Sequence, residues 1–527
     1  MAEGNNSKTN LAFSRLHHFL YLGTEGNCYN SKKPVFSLDS VHSIESLIAD
    51  GKGKDVVQEI IRFASEGLSL CPDAILYALA VCAHSQNNEI KSAAFKAVDK
   101  VCSTSVELFA FNRFLSEVSK PTKAWGRARR RAISSWYSSK SAKVQACEVT
   151  KIIQRHRWTH LDLFRLSHHR PVDKASAAVI KYVVKGIEST QKEFGVDGAS
   201  SEVQEIMTYL KAVHELKHTT DEHVAARLIE THDLSFEHIP TPLLKSKEIW
   251  TCLIQRLPLH VLLRKLPRLH RLGFLKNNTA LFKSFMERLR SESALADGHL
   301  GPIETFIIAR QHDISGKLDQ GKPLTRYRSS QLDDALHNLH MASFKMVPST
   351  GKRYLVAVDV RNPMDHNRIV IGGVNLSPSD ASALLIMALV RAEGQNVAAV
   401  AFSTKGMANI DINNKMTLSD ISCRMRETPM GPVNMAAPLQ WAQERKRYFD
   451  IIIVCTDNQT QPGDVHPAEA LKEYRKAFNL PQTRFVICAM SSQGFSLAPP
   501  DEPGMLDIAG FNVKTLQVIQ DFARGIF

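Results

Sequence analysis

The sequence predicts two architectures in series: an α-helical solenoid over residues 15–348 and an α/β doubly wound domain over residues 349–527. Three observations predict this. Before position 349 the apolar residues recur at helical spacing and nowhere alternate convincingly with a period of two. After Gly351 they gather into short runs separated by helical patterns. Charge divides at the same place, with 48 basic against 36 acidic residues up to position 348 and 18 against 17 beyond it. A chain of 527 residues that is 44% apolar is long enough for each part to bury its own core.

Residues 1–14 open with MAEGNNSKTN, a polar stretch expected to be a flexible N-terminus. The helical stripes then follow: Val56, Val57, Ile60, Ile61 and Phe63; Ala94, Phe95, Val98, Val101 and Cys102; Val203, Ile206, Met207, Leu210 and Val213. Pro72, Pro121, Pro171, Pro240 and Pro258 punctuate them at intervals suited to helical hairpins. No clean repeat period is visible, so the stacked helix pairs are expected to be irregular. Beyond Gly351, the runs Tyr354–Asp359, Val397–Phe402, Phe449–Thr456 and Arg484–Met490 read as buried parallel strands, with helices near 379–391, 434–444 and 466–477. In such sheets ligands sit at the carboxyl ends of strands, and YLVAVDV and IIIVCTD both end near an acid, Asp359 and Asp457. The longest aliphatic run, Ala383–Val390, falls far short of a bilayer span, so neither secretion nor membrane insertion is expected. Nine scattered cysteines without a CxxC pair fit a reducing compartment: the cytoplasm, with the nucleus as a second location.

Of the net charge of +13, a single block supplies most: residues 120–170 hold 13 Lys and Arg against 2 acids. Polyanions bind by releasing counterions from many phosphates at once, so this density points to nucleic acid. Arg127, Arg129, Arg130, Arg131, Arg165 and Arg170 are candidate phosphate clamps. Trp125, Trp136, Tyr137, Trp158 and Phe164 interleave with the cations, which marks ordered structure, since a disordered arm carries few aromatics. Lys151 and Arg155, four apart, are expected to share one helix face. A solvated basic face is the plainer alternative. A second segment, LIQRLPLHVLLRKLPRLHRLGFLK from Leu253, carries Arg256, Arg264, Lys265, Arg268, Arg271 and Lys276 without an acid. It reads as an amphipathic helix whose charges are a weaker RNA candidate.

The segments RLHHFLYLGTEG, AAFKAVDKVC, WGRARRRAISSWY, TKIIQRHRWTHLDLFRLSH, TGKRYLVAVDV and TDNQTQPGDVHPAEALKEYRK, in this order, resemble the sixty-kilodalton Ro (SS-A) autoantigens. These combine a TROVE module with a von Willebrand factor A-like domain. The resemblance implies HEAT-like helical repeats closed into a ring. It implies a basic outer surface for small structured noncoding Y RNAs and a central cavity for single-stranded ends of misfolded RNAs, hence a place in ribonucleoprotein assembly and RNA quality control. It carries over Lys151, Arg155 and His168 as RNA contacts. It also implies a metal-ion-dependent adhesion site, from which this chain departs. Asp359-Val360-Arg361-Asn362-Pro363 lacks both serines of the family's Asp-x-Ser-x-Ser, and Gly431-Pro432-Val433-Asn434 lacks the threonine. Asp359 and Asp457 alone make a poor Mg²⁺ site. No cofactor is therefore expected, and Arg361 is expected to replace the cation by pairing with one of the two carboxylates.

His214-Glu215-Leu216-Lys217-His218 matches the zinc-protease pattern H-E-x-x-H, but in a polar stretch with Asp221 where the longer signature has glycine. No other catalytic motif is present, and no enzymatic activity is expected. A second functional reading is a helical scaffold whose degenerate, metal-free α/β domain binds protein partners.

Overall fold

The computed structural model describes residues 2–30, 32, 34–120, 125–195, 199–315, 330–457, 465–492, 494 and 497–527. Lys123 of the basic block and Pro121 lie outside the described residues. The chain forms two compact units: residues 1–25 with 35–256, and residues 26–34 with 257–527.

The first unit is helical. Its helices are α1 (Ala2–Leu22), α2 (His42–Ala49), α3 (Gly53–Ser65), α4 (Pro72–His84), α5 (Asn88–Val101), α6 (Ser105–Val118) and α7 (Arg127–Ser138). They continue with α8 (Ala142–Lys151), α9 (His160–Ser167), α10 (Lys174–Phe194), α11 (Ser201–His218), α12 (Glu222–His232) and α13 (Lys247–Arg256). Helix α1 starts at Ala2, within the stretch whose polarity had set residues 1–14 apart; Leu16, Phe19 and Leu20 bury its inner face. The predicted stripes face inward, with Val56, Val57, Ile60 and Phe63 of α3 and Val203, Ile206, Met207 and Leu210 of α11 buried. Phe95 departs from its stripe: Ala94, Ala97 and Val98 are buried while Phe95 remains half-exposed. Helix starts are set by side-chain caps, including Asn87 on α5, Thr104 with Glu107 on α6 and Ser141 on α8. Gly186 kinks α10 with a φ of 79°.

The second unit holds strand β1 (Cys28–Asn30), the helices α14 (Leu259–Arg264), α15 (Leu266–Arg271), α16 (Ala280–Arg290), α17 (Glu292–Asp297), α18 (Pro302–Ser315) and α19 (Ser330–Ser343), and the α/β fold. Two short strands of the first unit, β2 (Gln154–Arg155) and β3 (Trp158–Thr159), form a hairpin. The α/β part runs β4 (Tyr354–Val358), α20 (Asn362–His366), β5 (Ile369–Ile371), β6 (Val374–Leu376), α21 (Pro378–Glu393), β7 (Val397–Ser403), β8 (Gly406–Ile410), α22 (Leu418–Glu427), α23 (Ala437–Glu444), β9 (Ile451–Thr456), α24 (Pro467–Phe478), β10 (Arg484–Ala489), β11 (Met505–Ala509) and α25 (Thr515–Arg524).

The main sheet has the order β1-β11-β10-β9-β4-β7-β8, parallel except at the β7–β8 edge. The four predicted strands are β4, β7, β9 and β10. Every residue of β4 and β9 is buried, as continuous apolar runs covered on both faces should be. Leu355, Ile452 and Ile487 of the sheet pack in one cluster with Leu439 of α23 and Leu471 and Tyr474 of α24. Composition changes near position 349 but compactness changes at 257. The helices α14–α19 share a unit with the sheet because α18 packs on β6 and α21, where Gln311 Nε2 donates to the Gly372 carbonyl at 2.6 Å.

Candidate nucleic-acid interface

The basic block is built on α7, α8, the β2–β3 hairpin and α9. Helix α7 is anchored by buried Trp136, whose Nε1 donates to the Cys102 carbonyl at 2.5 Å, and by buried Tyr137, hydrogen-bonded to His160 Nδ1 at 2.7 Å. With 129, 132, 133, 136 and 137 turned inward, Arg127 and Arg131 face solvent and Arg130 lies between.

Arg129 is therefore unlike its neighbours. It is 8% exposed, and its guanidinium lies 4.1 Å from the centre of the Trp125 ring and 5.6 Å from that of Trp158. It donates to Asn112 Oδ1 at 3.0 and 3.2 Å, to the Asn112 carbonyl at 3.2 Å and to Ser116 Oγ at 3.1 Å. No carboxylate faces it among these partners, and burial pushes its pKa down to about 10. Arg129 is a packing residue that ties α6 to the entry of α7 and to the hairpin, not an exposed phosphate clamp. The interleaved aromatics share that role: Trp125 and Trp158 meet edge to face at 5.7 Å, and Phe164 lies 4.5 Å from Tyr137.

Lys151 and Arg155 do not share a helix face. Helix α8 ends at Lys151, Ile152 is extended, and Arg155 sits on β2 opposite Trp158. The two-residue turn His156–Arg157 has φ of 52° and 65°, the pattern of a type I′ hairpin, here without the usual Asn-Gly. Two β-branched residues, Ile152 and Ile153, lead into it, which weakens the helix at that point. Arg155 and Arg157 are exposed as a result. Burial acts to lower the pKa of half-buried Lys151, but Cys147, Glu148 and Glu237 outweigh it and raise the pKa, so the amine stays cationic.

His168 caps α9 in the left-handed conformation (φ 52°, ψ 41°), its N–H donating to the Phe164 carbonyl. Glycine is the usual occupant of such a position, and an exposed histidine there costs conformational energy. Its neighbour His169 is core: stacked on Phe164 at 5.6 Å, bonded through Nδ1 to Ser134 Oγ at 2.9 Å, its pKa lowered by burial.

Each acid of the block accepts a hydrogen bond from a backbone N–H. Asp162 closes a capping box with Thr159 at the start of α9, and Glu148 accepts from the Ser105 N–H at 2.7 Å. Lys143 pairs with Glu205 at 2.7 Å, and Lys140 rides 3.9 Å over the Trp136 ring. Arg127, Arg130, Arg131, Arg155, Arg157, Arg165 and Arg170 have no carboxylate partner among the described residues. The result is a surface dense in uncompensated cations.

Sequence reasoning missed Lys217, which the H-E-x-x-H pattern concealed. Its Nζ donates to the Thr150 carbonyl at 3.4 Å, placing a second cation beside Lys151 at the negative end of α8, and burial lowers its pKa. Of the pattern's histidines, His218 Nδ1 bonds the His214 carbonyl at 2.7 Å, and no group of three metal-capable side chains forms among the described residues.

The second basic segment is not one helix. Pro258 and Pro267 divide it into the end of α13, α14 and α15. Acids from elsewhere meet its cations: Arg256 pairs with Asp233, and Arg264 lies 3.4 Å from Glu304. Lys265 and Arg268 also have partners. Leu259, Leu262, Leu263 and Leu266 are buried as predicted.

Two family models match in tandem, one described as TROVE domain over residues 3–354 and one as Ro60 vWA domain over residues 353–523. This chain belongs to the Ro60 family. Among relatives, a Caenorhabditis elegans protein named RNA-binding protein RO60 is 27% identical over 97% of this chain and 88% of its own length. A Deinococcus radiodurans protein of the same name is 27% identical over 97% of this chain and 92% of its own. The crystal structure of the Deinococcus radiodurans RO (RSR) protein superposes with a TM-score of 0.84 at 26% identity, covering 98% of this chain and all of that one.

At the strand ends where the Ro60 vWA domain is expected to hold a divalent ion, this chain places a guanidinium. Asp359 is fully buried, and Arg361 meets it with Nε at 3.0 Å from Oδ1 and Nη2 at 2.6 Å from Oδ2. The Arg361 N–H donates to Oδ1 at 2.9 Å, and Thr456 Oγ1 donates to Oδ2 at 3.0 Å. Arg361 Nη2 also reaches Asp457 Oδ1 at 3.4 Å. Hydrogen bonding to Asp359 raises the arginine's pKa further. Both oxygens of Asp359 are engaged, and a hard cation would have to displace a fixed positive charge, so these residues do not fit Mg²⁺.

Proposed function

We propose that this chain is an RNA-binding protein that takes small structured noncoding RNAs of the Y type on its basic surface and also binds the single-stranded ends of misfolded RNAs, within RNA quality control. One observation carries the reading: seven arginines of the α7–α9 region have no carboxylate partner among the described residues. Lys151, Arg155 and His168 are assigned to the stem-loop contact, with Arg127, Arg130, Arg131, Arg165 and Arg170 holding phosphates and Lys217 supporting Lys151. Arg264, Lys265, Arg268 and Arg271 are left out of the primary site. The relatives bearing the name RNA-binding protein support the same reading. No catalytic step is assigned, and the site is taken to work in the cytoplasm or nucleus. Among the described residues no helix is long and apolar enough to cross a membrane.

The α/β part is proposed to act without a divalent ion, Arg361 standing in its place, and to be the surface for any protein partner. Binding of a labelled stem-loop RNA across a salt series, comparing wild type with the Lys151→Ala/Arg155→Ala/His168→Ala variant, tests the RNA assignment. Steep salt dependence lost in the variant is expected. Equal, weak binding by both proteins favours the scaffold reading instead.

A further inference from the structure

A groove of about 320 Å³ opens between α5 and α7. The half-exposed ring of Phe95 lies in it, and this ring contacts no other aromatic among the described residues. Lys91 and Lys96 of α5 and Arg131 of α7 also line it, none ion-paired among the described residues, against a single acid, Asp99. Ser135 adds a hydroxyl able to donate or accept at the same wall. The volume is at the small end of ligand-sized cavities.

A flat, accessible aromatic surrounded by unpaired cations meets two demands at once: a π-face for a base and positive charge for its flanking phosphates. A helix presenting only apolar side chains would leave three cations desolvated without partners. Arg131 belongs to the same exposed row of α7 as Arg127, so a strand held there has its next phosphates at the groove. We infer that the α5–α7 groove is a subsite for one unpaired RNA nucleotide, its base stacked on Phe95 and its phosphates held by Lys91, Lys96 and Arg131. This rests on the RNA-binding reading above.

The test uses the full chain and two labelled RNAs, a stem-loop with and without a U-rich 3′ tail. Wild type is expected to bind the tailed RNA more tightly, and Phe95→Ala to lose about tenfold of that affinity, the scale of one base–aromatic stack, with the untailed stem-loop unaffected. Phe95→Trp should retain the tail's gain, and Lys91→Ala/Lys96→Ala should lower the salt slope for the tailed RNA by about 1.4, two single-strand phosphates' worth. Phe95→Ala matching wild type on both RNAs, or a tail that adds nothing, overturns the subsite while leaving stem-loop binding intact. Wild type binding neither RNA better than the Lys151→Ala/Arg155→Ala/His168→Ala variant overturns the parent reading. Should Phe95→Ala fold poorly, photocrosslinking of a 4-thiouridine tail to wild type decides. A crosslink on the peptide containing Phe95 supports the subsite, and its absence there refutes it.

Discussion

Arg129 and Arg131 stand two residues apart in one basic run, yet the structure assigns them opposite work, and substituting each separates the two. The Arg129 guanidinium makes hydrogen bonds to Asn112 and Ser116 and lies over Trp125. Two charge-assisted bonds at roughly 1.5–3 kcal/mol each and a desolvated cation–π contact of about 2 kcal/mol give a gross stabilisation near 5–8 kcal/mol. Against this stands the burial penalty. A pKa lowered to about 10 corresponds to ~3 kcal/mol lost by the charged form. The balance favours the buried arginine by about 2–5 kcal/mol, so Arg129→Ala should shift the urea midpoint of the first unit markedly, followed by the fluorescence of Trp125 and Trp158. Per folded molecule, its RNA salt slope should stay that of wild type. Arg131→Ala, an exposed side chain without a partner, should leave the stability within about 0.5 kcal/mol of wild type and lower the slope by about one phosphate. Arg129→Ala that unfolds like wild type but loses salt dependence would refute the reasoning.

Three further outcomes are expected. Arg361→Ala removes the guanidinium that bonds buried Asp359 and reaches Asp457, and should destabilise the second unit by ~2–4 kcal/mol, read by thermal unfolding; Mg²⁺ should restore little of it. Asp507 is fully buried, accepts the Leu497 and Ala498 N–H groups, and is lifted by burial to about 6. An acid whose folded pKa is raised binds protons that the unfolded chain releases. Its stabilising share is thus present at about pH 4 and lost as pH rises through 6. Asp507→Asn should flatten that decline and gain up to ~3 kcal/mol at pH 7 in urea titrations at several pH values. His168→Gly should relieve the left-handed strain and stabilise the first unit by about 1 kcal/mol while weakening stem-loop binding, a pairing that urea unfolding and RNA titration detect together.

Much of the α/β fold was legible because β4, β7, β9 and β10 are unbroken apolar runs, and a buried parallel strand leaves that signature. Strand β1 was not: Cys-Tyr-Asn is three residues long and pairs with a strand more than four hundred positions away. The β2–β3 hairpin was missed for a different reason. Its turn, His156–Arg157, carries no Gly, Asn or Asp, the residues that normally announce a type I′ turn, so spacing alone put Arg155 on a helix with Lys151. Within the site, composition marked the right region but could not sort its cations. Arg129 and Arg131 differ only in helix phase, and the inward set 129, 132, 133 and 136 would have revealed the buried one. Arg361 was readable because the strand ends lack the hydroxyl ligands of the family pattern and an arginine stands where one serine would, which changes the chemistry the site can support.

The short strand β1 gives the sheet an unusual history of assembly. Cys28 leaves the ribosome long before its partner Asp507, and only when β11 emerges can Asn27 take up its bonds to the Pro499 and Glu502 carbonyls at 2.6 and 2.9 Å. Until then residues 26–34 must wait without a mate, and the nascent chain's first sheet segment is among the last to find its place. Cutting the molecule at the apparent junction near 349 therefore does not yield a complete domain. It yields a sheet whose β11 border is open, ready to accept a strand from any neighbour, and a nine-residue donor peptide covering 26–34 is the natural complement to close it.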